Sequence, residues 1–87
     1  MINKEIGDRN GEATCYTNLG TVYRSVGEYE KAREHLEKSL AISKEIGIRK
    51  GEAASYGSLG MVYRFVGEYE KARENLEKSQ VLSRNVL

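Results

Sequence analysis

Apolar side chains along this chain fall at steps of three and four in two long runs, and then the pattern starts again. Tyr16, Leu19, Val22 or Tyr23, and Val26 form the first run; Tyr29, Ala32, Leu36, Leu40 and Ile46 form the second, with gaps. That spacing lines one face of a 3.6-residue helix, and no segment alternates apolar and polar residues with the period of two that a strand needs. Gly27 sits between the runs, and Gly47, with Gly7 before it, sits between units, where a residue of positive φ ends a helix. The pattern predicts a helix fragment to about Ile6, then helices near 9–25, 29–46, 49–65 and 69–86. Asp8 is placed to cap the helix after it, whereas its counterpart Ile48 has no side-chain oxygen with which to do so. Glu34 and Lys38, like Glu74 and Lys78, are four apart with the acid first, the order that favours a helical ion pair.

The restart is a true internal repeat. Sliding the sequence by 40 residues lays Lys4–Ser43 over Lys44–Ser83 with 28 of the 40 positions identical, and Val26–Glu34 recurs unchanged as Val66–Glu74. Repeats of this length signify a stacked, quasi-linear architecture. Ile2–Gly7 resembles Ile42–Gly47, so residues 1–7 read as the tail of a preceding repeat helix, 8–47 as a first repeat and 48–87 as a second. On this reading the chain is a slice of a longer array; the alternative is a complete small protein with a short leader.

The first helix of each unit carries Tyr16-x-x-Leu19-Gly20-x-x-Tyr23 and then Ala32-x-x-x-Leu36, repeated as Tyr56, Leu59, Gly60, Tyr63, Ala72 and Leu76. This resembles the tetratricopeptide repeat, whose signature is Trp-x-x-Leu-Gly-x-x-Tyr, then Ala-x-x-x-Phe, then Pro. Gly20 and Ala32 leave room for two helices to approach, and Tyr16, Leu19, Tyr23 and Leu36 fill the space around that contact. Tyr stands for the usual Trp, Leu for Phe, and Lys44 and Arg84 for Pro, which lets each second helix run on and stretches the period. Such extended units resemble those of Pins-like polarity adaptors and of large metazoan proteins with many of these repeats. The resemblance implies an all-α fold, antiparallel helical hairpins stacked as a right-handed superhelical α-solenoid.

The twelve differences between the copies are not scattered. Thr14, Thr17, Asn18, Thr21 and Ser25, opposite Ala54, Gly57, Ser58, Met61 and Phe65, fall on one face of the first helix, while the face with Tyr16, Leu19, Gly20 and Tyr23 is unchanged. In the family that resemblance points to, first helices line the concave surface where peptides bind. These ten residues, with the identical Arg24 and Arg64 at the border, are therefore the expected partner-binding groove; relaxed drift on a solvated face is the alternative. The threonines and Asn18 offer hydrogen bonds, Met61 and Phe65 an apolar patch, and Phe65 is the anchor candidate, with packing against a neighbouring helix as its alternative. Chaperone-binding members of the family hold a C-terminal carboxylate with Lys and Asn on this face; Thr17, Thr21, Gly57 and Met61 stand at those positions, which argues against that activity.

Composition narrows the classes. With 39% hydrophobic and 31% charged residues and 14 basic against 13 acidic, the chain suits a folded protein, and a net charge of +1 gives no reason to expect nucleic acid or an anionic membrane. No apolar run approaches a membrane span. The N-terminus lacks a signal-peptide stretch and the single cysteine cannot form an internal disulfide, so a cytoplasmic location is expected. Cys15 and His35 make neither a zinc site nor a nucleophile–base pair. Cys15 reads as a small packed or half-exposed residue and His35 as a solvated one. The glycines follow repeat geometry and build no phosphate loop. No cofactor, metal or enzymatic activity is expected; a protein or peptide partner is.

Self-association is the competing expectation. A repeat buries its flanks only against neighbours. Leu40, Ala41 and Ile42 are expected to face the following unit, and Gln80, Val81 and Leu82 replace them in the second copy, with Val86 and Leu87 also apolar. A homo-oligomer formed by end-to-end stacking, or by helix exchange through the uncapped Ile46–Lys50 connection, follows from those flanks.

Overall fold

The computed structural model describes residues 2–85, with side chains from Asp8 to Arg84. Four helices follow one another: α1 (Ile2–Ser25), α2 (Tyr29–Ile46), α3 (Arg49–Phe65) and α4 (Tyr69–Asn85). Among the described residues there is no strand. The chain is an all-α solenoid of two helical hairpins, α1–α2 and α3–α4, with α3 laid against α2. Val86 and Leu87, expected at the apolar end, lie outside the described residues.

Each turn is made by a glycine in the left-handed region, Gly27 (φ 84°), Gly47 (φ 73°) and Gly67 (φ 85°). The same pair of backbone bonds closes all three: Glu28 N–H donates to Tyr23 C=O at 2.8 Å and Gly27 N–H to Arg24 C=O at 3.1 Å, repeated at Glu68–Tyr63 and Gly67–Arg64 and at Ile48–Ser43 and Gly47–Lys44. These are Schellman closures, which satisfy helix-end carbonyls without side chains. Ile48 indeed gives α3 no side-chain cap, and Glu28 gives α2 none.

Gly7 behaves differently from Gly47. The α1 backbone runs through Gly7 and Asp8 without a turn, so the separate fragment to Ile6 and the Asp8 cap are both corrected. A continuous helix satisfies the amides that a new N-terminus would leave open, whereas the turn at Gly47 is clamped between α2 and α3.

Inside each hairpin the helices touch where Gly20 and Gly60 lack a side chain. A Cβ at Gly20 would lie 2.6 Å from Leu36 Cγ and 3.3 Å from the Ala32 carbonyl; at Gly60 the distances are 2.6 Å to Leu76 and 3.2 Å to Ala72. The main core lies between the hairpins, where Ala32 and Leu36 of α2 meet Leu59 and Val62 of α3, with Tyr23, Tyr29, Leu40 and Tyr63 packed around them. Leu19, expected to fill hairpin space, stays exposed, because among the described residues no helix packs on that face of α1. Ile42 is buried and Leu40 half-buried, but Ala41 is exposed; at about 100° per residue, three consecutive positions cannot share one face.

The outer surface is held by charge pairs other than those expected. Glu34–Lys38 and Glu74–Lys78 do not pair: Lys38 lies over the Tyr16 ring at 5.5 Å and Lys78 over Tyr56 at 5.4 Å. Lys44 reaches the opposite side of the repeat boundary to lie over Tyr56 at 5.5 Å, and the Tyr56 side chain beside it holds its pKa above the ordinary lysine value. Arg33 instead pairs with Glu37 at 2.8 Å and with Glu30, and Arg9 ties α1 to the end of α2 through Glu45. No helix among the described residues is long and apolar enough to cross a membrane.

Candidate interaction surface

The first helices α1 and α3 lie on the same side of the stack, and a cleft of about 320 Å³ opens between them with α2 as its floor. Four of the expected groove residues, Thr14, Thr17, Asn18 and Ala54, line it. Ala13 and Ile48 supply apolar wall, and Ser39 and Ser43 the floor. Asn10 and Lys50 also line it and were not singled out from the sequence, although they occupy one differing position and extend the spacing of Thr14, Thr17, Asn18 and Thr21 by one step of four. Lys50 is the charged residue in this lining, and no carboxylate joins it there.

The hydroxyls are less free than their exposure suggests. Thr14 Oγ1 donates to Asn10 C=O at 3.0 Å, Thr21 to Thr17 C=O at 3.0 Å and Ser25 to Thr21 C=O at 2.9 Å. Their protons are spent on their own helix, leaving lone pairs for a ligand's donors. Thr17 is engaged further. It donates to Ala13 C=O at 3.1 Å and lies 2.6 Å from Ser39 Oγ, which in turn is 3.2 Å from the Ser55 hydroxyl. Since Ser55 donates to Ser39 and Thr17 already donates to a carbonyl, protons run one way, Ser55 to Ser39 to Thr17 to Ala13, across three helices. In the second hairpin Gly57 has no hydroxyl, and Ser79 donates straight to Ala53 C=O at 2.8 Å. The Thr17/Gly57 difference therefore alters the seam of the hairpin as well as the cleft.

The remaining candidates lie outside this lining. Ser58, Met61 and Arg24 are half-buried; Thr21, Ser25, Arg64 and Phe65 are exposed. Phe65 is 54% exposed, yet its ring stacks on Tyr29 of α2 at 5.7 Å and 11° between planes. It thus both seals the repeat boundary and presents an open ring face. Arg24 and Arg64 sit in the last turns of α1 and α3, where cations complement the helix dipole.

A second groove of about 440 Å³ runs between α3 and α4, lined by Tyr56, Val81 and Leu82 with Glu52, Glu74, Glu77 and Lys78. The corresponding strip of α2, with Glu34, Glu37, Lys38 and Ala41, is open as well, so this groove is a feature of the hairpin's outer side.

His35 is not the solvated residue expected. It is half-buried, its ring 5.1 Å from Tyr23 and 5.9 Å from Tyr16, because the hairpin brings the Tyr face of α1 over that side of α2. Its Nδ1 is 2.8 Å from Lys31 C=O; a carbonyl only accepts, so Nδ1 carries the proton. Asn75 makes the same bond to Lys71 C=O at 2.8 Å with its amide. Cys15 is exposed. Among the described residues no three His, Cys, Asp or Glu side chains gather where a metal could be held.

Glycine-closed hairpins keyed at Gly20 and Gly60, with an open cleft along their first helices, place the chain among helical-repeat solenoids. A family model described as Tetratricopeptide repeat matches residues 2–45 and, overlapping them, 11–85. The chain belongs to that family, whose repeats generally mediate protein–protein interaction and are not catalytic. Comparison with curated proteins finds no match.

Proposed function

We propose that this chain is a scaffold module of the extended, 40-residue kind, working in the cytoplasm without catalysis, and that it binds an extended or helical peptide of a partner protein in the cleft between α1 and α3. The observation that carries this reading is the cleft's lining: the exposed side chains of Asn10 and Asn18 are suited to peptide backbone, and the unopposed cation of Lys50 to an acidic side chain. Arg24, Arg64 and the open face of Phe65 extend the surface along the same helices towards the turns. Peptides selected from a displayed random library against the chain test this. Their affinity should fall at least tenfold, about 1.4 kcal/mol, in Asn18→Ala/Lys50→Glu, and also in Arg64→Ala/Phe65→Ala, with helicity retained. Peptides that bind both double variants as tightly as the parent chain overturn the assignment.

A second reading, self-association by end-to-end stacking or by helix exchange at Ile46–Lys50, is favoured by a separate observation: Leu19, Val22 and Leu76 are left open to solvent at the two ends of the stack.

A further inference from the structure

Identical residues in the two repeats have different surroundings, and the differences map two surfaces. Leu19 and Leu59 hold the same repeat position, yet Leu19 is 43% exposed and Leu59 2%; for Val22 and Val62 the values are 57% and 1%. On the other side Leu36 is fully buried and Leu76 40% exposed. Tyr29 packs against the core while Tyr69 is exposed. What covers Leu59 and Val62 is α2, and what covers Leu36 is α3. The open face of α1 therefore carries the chemistry of α3's buried face, and the open face of α4 that of α2's. They are complementary because the chain already contains the joint between them.

We propose that a second copy of this chain seats its α1 on the α4 of the first, repeating the step that joins α2 to α3. This rests on the self-association reading above and commits it to stacking. In the new joint Leu19 and Val22 cover Leu76. Cys15 takes the place of Ser55 and Ser79 that of Ser39, so the hydroxyl contact that crosses the internal boundary becomes a thiol–hydroxyl contact. Two substitutions weaken the joint relative to the internal one. Tyr69 meets Ser25 where Tyr29 stacks on Phe65, and Gln80 stands where Leu40 packs. The association is thus reversible and concentration-dependent. Because the joint uses two different patches, it leaves one of each free and does not close at a dimer.

Sedimentation equilibrium from about 10 μM to about 1 mM, a range that brackets weak association, should show a mass that keeps rising past the dimer. Leu19→Glu and Leu76→Glu should each be monomeric alone. Mixed one to one they should form a dimer and stop, since the first retains an open α4 face and the second an open α1 face. Val22→Glu and Tyr69→Glu provide a second pair that spares the contact between Leu76 and Gly60, and circular dichroism verifies helicity. Alkylation of Cys15 gives an independent readout: its counterpart Ser55 is fully buried, so at the dimer stage about half of the thiol should be protected. A parent chain that is monomeric throughout overturns the proposal and the self-association reading together. Self-association that survives Leu76→Glu but not Leu19→Glu signifies a symmetric α1-to-α1 dimer, and association that survives both signifies helix exchange. Either result overturns the stacking joint while leaving self-association standing.

Discussion

The two hairpin contacts pose the same steric problem to an added methyl group in different confinement, which makes Gly20→Ala against Gly60→Ala a direct test of the packing. Each new Cβ would lie 2.6 Å from a leucine Cγ and 3.2–3.3 Å from an alanine carbonyl, so one of the two must yield. Leu36, facing Gly20, is fully buried among Ala32, Leu59 and Val62 and has nowhere to swing. Leu76, facing Gly60, is 40% exposed and can rotate into solvent. Overpacking a confined site costs about 1–3 kcal/mol, while exchanging Gly for Ala inside a helix returns about 1 kcal/mol. Gly20→Ala should therefore lose up to about 2 kcal/mol, and always more than Gly60→Ala, which should stay within about 0.5 kcal/mol of the parent. Urea unfolding followed by far-UV circular dichroism, at a dilution where mass is constant, measures both. Equal losses, or a larger loss at Gly60, would refute the argument that confinement decides the cost.

Two further outcomes are expected. Ser39→Ala cuts the hydroxyl line in the middle and strands the buried Ser55 hydroxyl, so it should cost about 1–3 kcal/mol; Thr17→Ala should cost less than about 1 kcal/mol, since Ser39 can then donate to Ala13 C=O as Ser79 does to Ala53 C=O. Paired denaturation curves that place Thr17→Ala at or above Ser39→Ala would reject that rerouting. Glu30 is fully exposed, and its hydrogen bond with Arg33 lowers its carboxyl pKa below the ordinary 4.5. A lowered folded-state pKa means stability that is complete above the unfolded value and lost as pH falls through the folded one. The melting temperature should accordingly drop on acidification below about pH 4.5, by less in Glu30→Gln than in the parent and by less in high salt; an identical pH profile for the two proteins would exclude the pair as a contributor.

The four long helices, the turns at Gly27 and Gly47 and the hairpin key were legible because each is local. Apolar steps of three and four mark faces, glycine marks left-handed closures, and Gly20 beside Ala32 marks a close approach. What escaped depended on neighbours. Asp8 looks like a cap in sequence, but whether a helix breaks before it is decided by what packs there. His35 looks solvated beside Glu34 and Glu37 until α1 lays two tyrosines over it. Lys38 has an acid at the right spacing, yet an aromatic ring across the hairpin holds it instead. In the cleft, Thr14, Thr17 and Asn18 share the lining with Asn10, and the step from Thr14 back to Asn10 was there to be read. That Thr17 would be tied to Ser39 was not, because the two are 22 residues apart and meet only through the fold.

That line of hydroxyls sets more than a few hydrogen bonds. It fastens α3 to α1 through α2 at one height in the stack, so the distance between the two walls of the cleft is fixed by three small polar side chains. In the second hairpin Gly57 has no side chain and Ser79 donates straight to the Ala53 carbonyl, so the same seam is closed by a shorter link without touching the apolar core. In an array, such exchanges repeated from unit to unit would shift neighbouring helices against one another in small steps, each set by a single hydroxyl and not by the apolar core.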